Sequence, residues 1–92
     1  MTKSMAANHG TDGIRVNCVC PGFLYTPMVA AEGMTEAARE SRRMQSLLQT
    51  EGNAWDSATA ARFLAGGEAR WITGTILTVD AGVSSSFYFP KL

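Results

Sequence analysis

The sequence predicts an α/β fold built on parallel strands. Two segments, Ile14–Cys20 and Thr75–Asp80, have the length and apolar alternation of β-strands. Helical segments lie between them, and strands separated by helices pair in parallel. Two strands alone make no stable sheet, because both faces and both edges need cover. The expected architecture is therefore two strands with flanking helices, a part of a larger parallel sheet.

Each element has a local reason. Thr2–His9 reads as the end of a helix, stopped by His9-Gly10 and an Asp12-Gly13 turn. In the first strand Ile14, Val16, Cys18 and Cys20 share one face, and Pro21-Gly22 ends it. Thr26-Pro27 starts a helix, with a hydroxyl at the N-cap and proline at the first helical position. Gly33 interrupts the helical pattern of residues 28–48 and Thr35 offers a second N-cap, so this segment reads as two short helices. Asn53 and Asp56 have capping-box spacing for a helix that ends at Gly66-Gly67. Glu68–Trp71 is a short turn, Thr73-Gly74 a tight one, and residues 83–92 form a tail beyond the second strand.

Composition narrows the function classes. The 92 residues suffice for one small domain, and 8 basic side chains balance 8 acidic ones. No net field draws the chain to nucleic acid or to an anionic membrane. Arg39, Arg42 and Arg43 lie beside Glu32, Glu36 and Glu40, the pattern of a solvated helix face. No stretch approaches the roughly 20 apolar residues of a membrane span, and residues 1–10 have no signal-peptide core. Cys18 and Cys20 fall on one strand face with Cα atoms roughly 6.6 Å apart. That spacing favours two free thiols in a reducing, cytoplasmic setting. With His9 the sole histidine, no metal site is expected.

Three ordered stretches carry a resemblance. Gly13-Ile14-Arg15-Val16-Asn17 with Cys20-Pro21-Gly22, then Phe23-Leu24-Tyr25-Thr26-Pro27-Met28, resemble the penultimate strand and following loop of short-chain dehydrogenase/reductases. Arg62-Phe63-Leu64-Ala65, Glu68 to Gly74, and Leu77-Thr78-Val79-Asp80-Ala81-Gly82 resemble that family's last helix, turn and strand. Thr2 to Ala6 resembles the end of the helix that carries the family's catalytic pair. The resemblance covers about residues 1–82 and implies the C-terminal part of a Rossmann-like doubly wound sheet. It also implies NAD or NADP as cofactor, an alcohol or ketone as substrate, and a homo-oligomer. Pro21, Gly22, Leu24 and Thr26 are the positions that match its nicotinamide-binding loop, and residues 27–50 match its substrate lid. Asn17 is expected to hold neighbouring loops by hydrogen bonds, and Arg15 to lie at the surface. Asp80-Ala81-Gly82 departs from the commoner Asp-Gly-Gly, and Gly66-Gly67 from Ser-Asp.

Other family parts have no match. Neither Gly-x-x-x-Gly-x-Gly nor Gly-x-Gly-x-x-Gly occurs, so the phosphate cradle has no counterpart. The family's Tyr-x-x-x-Lys is missing too: Tyr25 has Val29 at that spacing, and Tyr88 meets Lys91 one residue early. Lys3 reads as a surface charge near a helix end, and the catalytic serine has no counterpart. No catalytic residue is therefore assigned. The expected function is a C-terminal fragment of an NAD(P)-dependent oxidoreductase, inactive alone. The alternative is a non-catalytic module that docks onto full-length family members.

Overall fold

A computed structural model describes residues 1–85. The aromatic tail residues Phe87, Tyr88 and Phe89 lie outside the described residues. Helix α1 spans Thr2–His9, strand β1 Cys18–Pro21, helix α2 Pro27–Ala31 and helix α3 Glu36–Gln45. Helix α4 spans Ala54–Ala65 and strand β2 Ile76–Val79. Short 3₁₀ turns cover Gly10–Asp12 and Gly67–Ala69.

Strands β1 and β2 are parallel neighbours, with Cys18 opposite Ile76 and Pro21 opposite Val79. Helix α4 lies between them in the chain and packs on both, as the strand–helix–strand order predicts. Its start is a full capping box. The Asn53 side chain accepts from the Trp55 and Asp56 N–H groups, while Asp56 accepts from the Asn53 N–H at 2.8 Å. Thr26 and Thr35 cap α2 and α3 in the same manner, each accepting from the N–H three residues on. Gly33, at φ 81°, makes the break between those helices.

The first strand is shorter than its pattern. Residues 14–17 lie outside the strand and meet the Thr73-Gly74 turn instead of a second strand. Their pairing is partly made by side chains. Val16 N–H donates to Thr73 Oγ1 at 3.1 Å, and Gly74 N–H donates to the Val16 carbonyl at 2.8 Å. Asn17 Nδ2 donates to the Ile72 carbonyl and its Oδ1 accepts from Thr75 N–H, each at 3.0 Å. Asn17 thus splices the turn onto the strand, as expected of it. Alternation of side chains does not say which partner a segment meets.

Arg15 departs from its expected surface role. Its guanidinium donates to the carbonyls of Leu64 at 2.7 Å and Gly66 at 3.2 Å, and more weakly to Ile72 at 3.4 Å. It thereby satisfies carbonyls that the end of α4 leaves without helical partners. Nothing local in the sequence distinguishes this arginine from a solvated one, because its acceptors lie about 50 residues away.

The core is small. Among the described residues the buried apolar side chains are Ala6, Leu64 and Ala69. Ala6 brings α1 onto the Gly74 turn, where Lys3 Nζ also donates to the Gly74 carbonyl at 3.2 Å. On α4, Leu64 is buried while Ala58 and Ala61 are exposed. Trp55, Trp71 and Ile76 are also exposed, Trp71 at 88%.

Candidate functional site

The candidate loop leaves the C-terminal end of β1, where open parallel sheets place ligands. Pro21 closes the ladder opposite Val79, and the Gly22 N–H donates to the Val79 carbonyl at 2.9 Å. A Cβ on Gly22 would stand 2.5 Å from the Asp80 Cβ. The need for glycine at 22 therefore comes from Asp80, which fills the space a side chain would take. Asp80 in turn organises the turn after β2, accepting from Gly82 N–H at 2.9 Å and Ser84 N–H at 2.8 Å. The Ser84 hydroxyl and these N–H groups hold its carboxyl below the usual range.

Leu24 forms an isolated parallel bridge with Gly52, in which Tyr25 N–H donates to the Gly52 carbonyl at 2.8 Å. In that pattern the N–H and C=O of Leu24 itself point away from Gly52. Neither is hydrogen-bonded among the described residues. The Leu24 side chain presses on Gly52, where an added Cβ would come within 2.8 Å of it. Thr26 Oγ1 accepts from Val29 N–H at 3.5 Å, which leaves its own hydroxyl proton to donate elsewhere. Helix α2 has only five residues, so its dipole adds little at Thr26. The four candidate positions thus follow one another from the last residue of β1 to the N-cap of α2.

A cleft of about 430 Å³ lies beside this loop, between residues 23–25, α3, residues 50–53 and the end of β2. Leu24 lines it, whereas Pro21, Gly22 and Thr26 do not. The arginines expected on a solvated face turn towards it instead. Arg39 stacks on the Tyr25 ring at 3.7 Å and grips Glu51 through Nε at 3.0 Å and Nη2 at 2.7 Å. The hydrogen bonds from Arg39 hold the Glu51 carboxyl below the usual range. Arg42 stands over Phe23 at 4.9 Å, and Arg43 binds both Glu40 and the Gln49 carbonyl. Helical spacing put the charges on one helix, but only the fold brought Tyr25, Phe23 and Glu51 beneath them.

Cys18 and Cys20 are free thiols with sulfurs 3.8 Å apart, on one face as the alternation predicts. No group of three or more His, Cys, Asp or Glu side chains gathers among the described residues. No helix of the described residues is long and apolar enough to cross a membrane.

Residues 1–84 match the family model described as enoyl-(acyl carrier protein) reductase. The chain is 33% identical over 92 residues to a meso-2,3-butanediol dehydrogenase from Serratia marcescens, covering 100% of this chain and 36% of that protein. An oxidoreductase of the short chain dehydrogenase/reductase family from Burkholderia thailandensis superposes with a TM-score of 0.82 at 37% identity. That match covers 94% of this chain and 34% of the other. A 4-hydroxyisoleucine dehydrogenase mutant, solved with NADH and succinate, superposes with a TM-score of 0.79 at 29% identity, over 92% of this chain and 35% of its own. The chain spans about a third of the length of the curated relatives it matches.

Proposed function

The chain belongs to the short-chain dehydrogenase/reductase family, and from that premise we propose that it supplies the nicotinamide-side loop and substrate lid of an NAD(P)-dependent oxidoreductase. It corresponds to the C-terminal part of the Rossmann sheet. The observation that carries this reading is the backbone of Leu24. A primary carboxamide presents one acceptor and an NH₂ donor, and Leu24 offers an unbonded N–H and C=O side by side. Thr26, two residues on, adds a hydroxyl whose proton is free to meet a carboxamide or phosphate oxygen. Pro21 and Gly22 set the angle at which this loop leaves the sheet.

When bound, NAD or NADP supplies the hydride acceptor or donor for an alcohol or ketone. The residues of this chain orient the nicotinamide end and cover it. Residues 27–50, which hold α2 and α3, form the lid, with Gly33 at φ 81° making the break between its two helices. Proton transfer to or from the substrate oxygen needs a positioned acid–base group, and the chain contains no Tyr-x-x-x-Lys to provide it. We therefore expect no turnover from this chain alone; activity belongs to an assembly that includes the family's catalytic tyrosine and glycine-rich loop. The setting is cytoplasmic and the assembly a homo-oligomer.

The test is a titration of the purified chain with NADH, followed by cofactor fluorescence and by backbone amide shifts. Shifts centred on Leu24 and Thr26, weakened by Thr26→Ala, support the reading. Shifts confined to other segments, or turnover of a secondary alcohol above a boiled control, count against it.

A second reading is a non-catalytic module that docks onto full-length family members. The exposure of Trp55, Trp71 and Ile76 favours it, since large apolar groups seek cover. Co-purification with a full-length relative that leaves the relative's activity unchanged would select this reading over the first.

A further inference from the structure

We propose that Arg39 and Arg42 clip the residues on either side of Leu24, and so position the Leu24 backbone for the nicotinamide carboxamide. This role rests on the reading of Leu24 as the carboxamide's partner. The two arginines stand three residues apart and share one face of α3. The Arg39 guanidinium lies over the Tyr25 ring at 3.7 Å, and that of Arg42 over the Phe23 ring at 4.9 Å. Phe23 and Tyr25 are the chain neighbours of Leu24, whose own side chain meets Gly52 instead.

Arg39 also holds the other side of the bridge. It grips Glu51 through Nε at 3.0 Å and Nη2 at 2.7 Å. Glu51 precedes Gly52, whose carbonyl accepts from Tyr25 N–H at 2.8 Å. One guanidinium therefore fixes both the residue after Leu24 and the residue before its bridge partner. The planar fork suits the two contacts at once, edge to the carboxylate and face to the ring, where a lysine offers only a point charge. Peptide planes held on both flanks rotate only by breaking a stack or an ion pair, so the Leu24 N–H and C=O keep one direction. A donor and acceptor already in place lose less freedom when a ligand arrives. Every partner in the clip belongs to this chain, so it does not depend on an open face of the sheet. With the shorter stack and the second grip, Arg39 carries more of the clip than Arg42.

The experiment titrates the full chain with NADH and with its reduced acetylpyridine analogue, in which a methyl ketone replaces the carboxamide and removes the NH₂ donor. The unaltered chain should favour NADH. Arg39→Met should weaken NADH binding about tenfold and analogue binding about threefold or less, and Arg42→Met should weaken NADH binding about threefold. Tyr25→Phe keeps the ring face and should match the unaltered chain, whereas Tyr25→Leu should follow Arg39→Met. Glu40→Gln, which alters the Arg43 pair on the same helix, should leave both affinities as they were. No loss in Arg39→Met, or equal losses for the two cofactors, would mark a merely structural arginine and overturn the proposal. An unaltered chain that binds neither cofactor, or both alike, would instead remove Leu24 as the carboxamide's partner, and this role with it.

Discussion

At the scale of single residues, two side-chain positions are decided by partners remote in the chain. Gly22 has no room for a Cβ because Asp80 occupies its place. Gly22→Ala should therefore push β2 from β1 at the Pro21–Val79 end, at a cost of about 1–3 kcal/mol. Backbone amide exchange checks it: the Gly22 N–H, now bonded to Val79, should exchange much faster in the variant, whereas unchanged protection would refute the steric argument. Arg15 is the second case. Its guanidinium collects carbonyls from the end of α4 and the following turn. Arg15→Met keeps the apolar stem and removes those bonds, which should cost about 1.4 kcal/mol locally. The readout is the Gly66 amide, whose exchange should quicken about tenfold while the start of α4 stays protected.

At the scale of elements, the caps were legible and the arginine face was not. N-cap chemistry is local, so Thr26, Thr35 and Asn53 mark the helix starts from sequence alone. The partner of Arg39 is Glu51, beyond the end of α3, and no helical spacing points to it. This pair ties α3 to the segment that carries Gly52, and so to the Leu24 bridge. Arg39 hydrogen bonding keeps the Glu51 carboxyl below its ordinary range in the folded chain. A depressed folded value contributes stability that is complete above the ordinary glutamate range and is lost as pH falls through the lowered one. Acidification below about pH 4 should therefore release α3 from residues 50–53, seen as loss of the Tyr25 ring shift. Glu51→Gln should have lost that tie already at neutral pH, leaving the acid response shallower. An identical acid profile in the variant would show that Glu51 does not link these elements. The Glu40–Arg43 pair lies within α3 and more in the open, so it adds little and is screened by salt.

At the scale of the whole molecule, too little is buried for a self-sufficient domain. Among the described residues the buried apolar set is two alanines and one leucine, while Ile14, Trp55, Phe63, Trp71 and Ile76 remain exposed. A chain of this length hides only about 60% of its unfolded surface even when well packed, and here the side chains that should contribute most are outside. Both outer edges of the two-stranded sheet are also unpaired among the described residues, and open edges recruit other strands. The isolated chain should therefore self-associate or melt without a sharp transition. Sedimentation and calorimetry check this, and a compact monomer with one cooperative melt would contradict it.

Sequence alone determined what depends on short separations: the helix starts, the glycine break at Gly33, the shared face of Cys18 and Cys20, and the parallel strand order. It also placed the chain in its family, through motifs kept in order along residues 1–82. Tertiary structure decided what depends on distant partners. It made Asn17 and Thr73 the splice where a ladder was expected, and Arg15 a clasp for α4. It turned Arg39 and Arg42 onto Tyr25 and Phe23, and it set Asp80 against Gly22. The division has one physical cause. Capping and alternation act over a few residues, where the backbone itself fixes geometry, whereas these contacts join different elements: Arg15, Asn17 and Gly22 meet their partners when α4 and β2 return to β1, and Arg39 and Arg42 meet theirs when α3 folds back over residues 23–25.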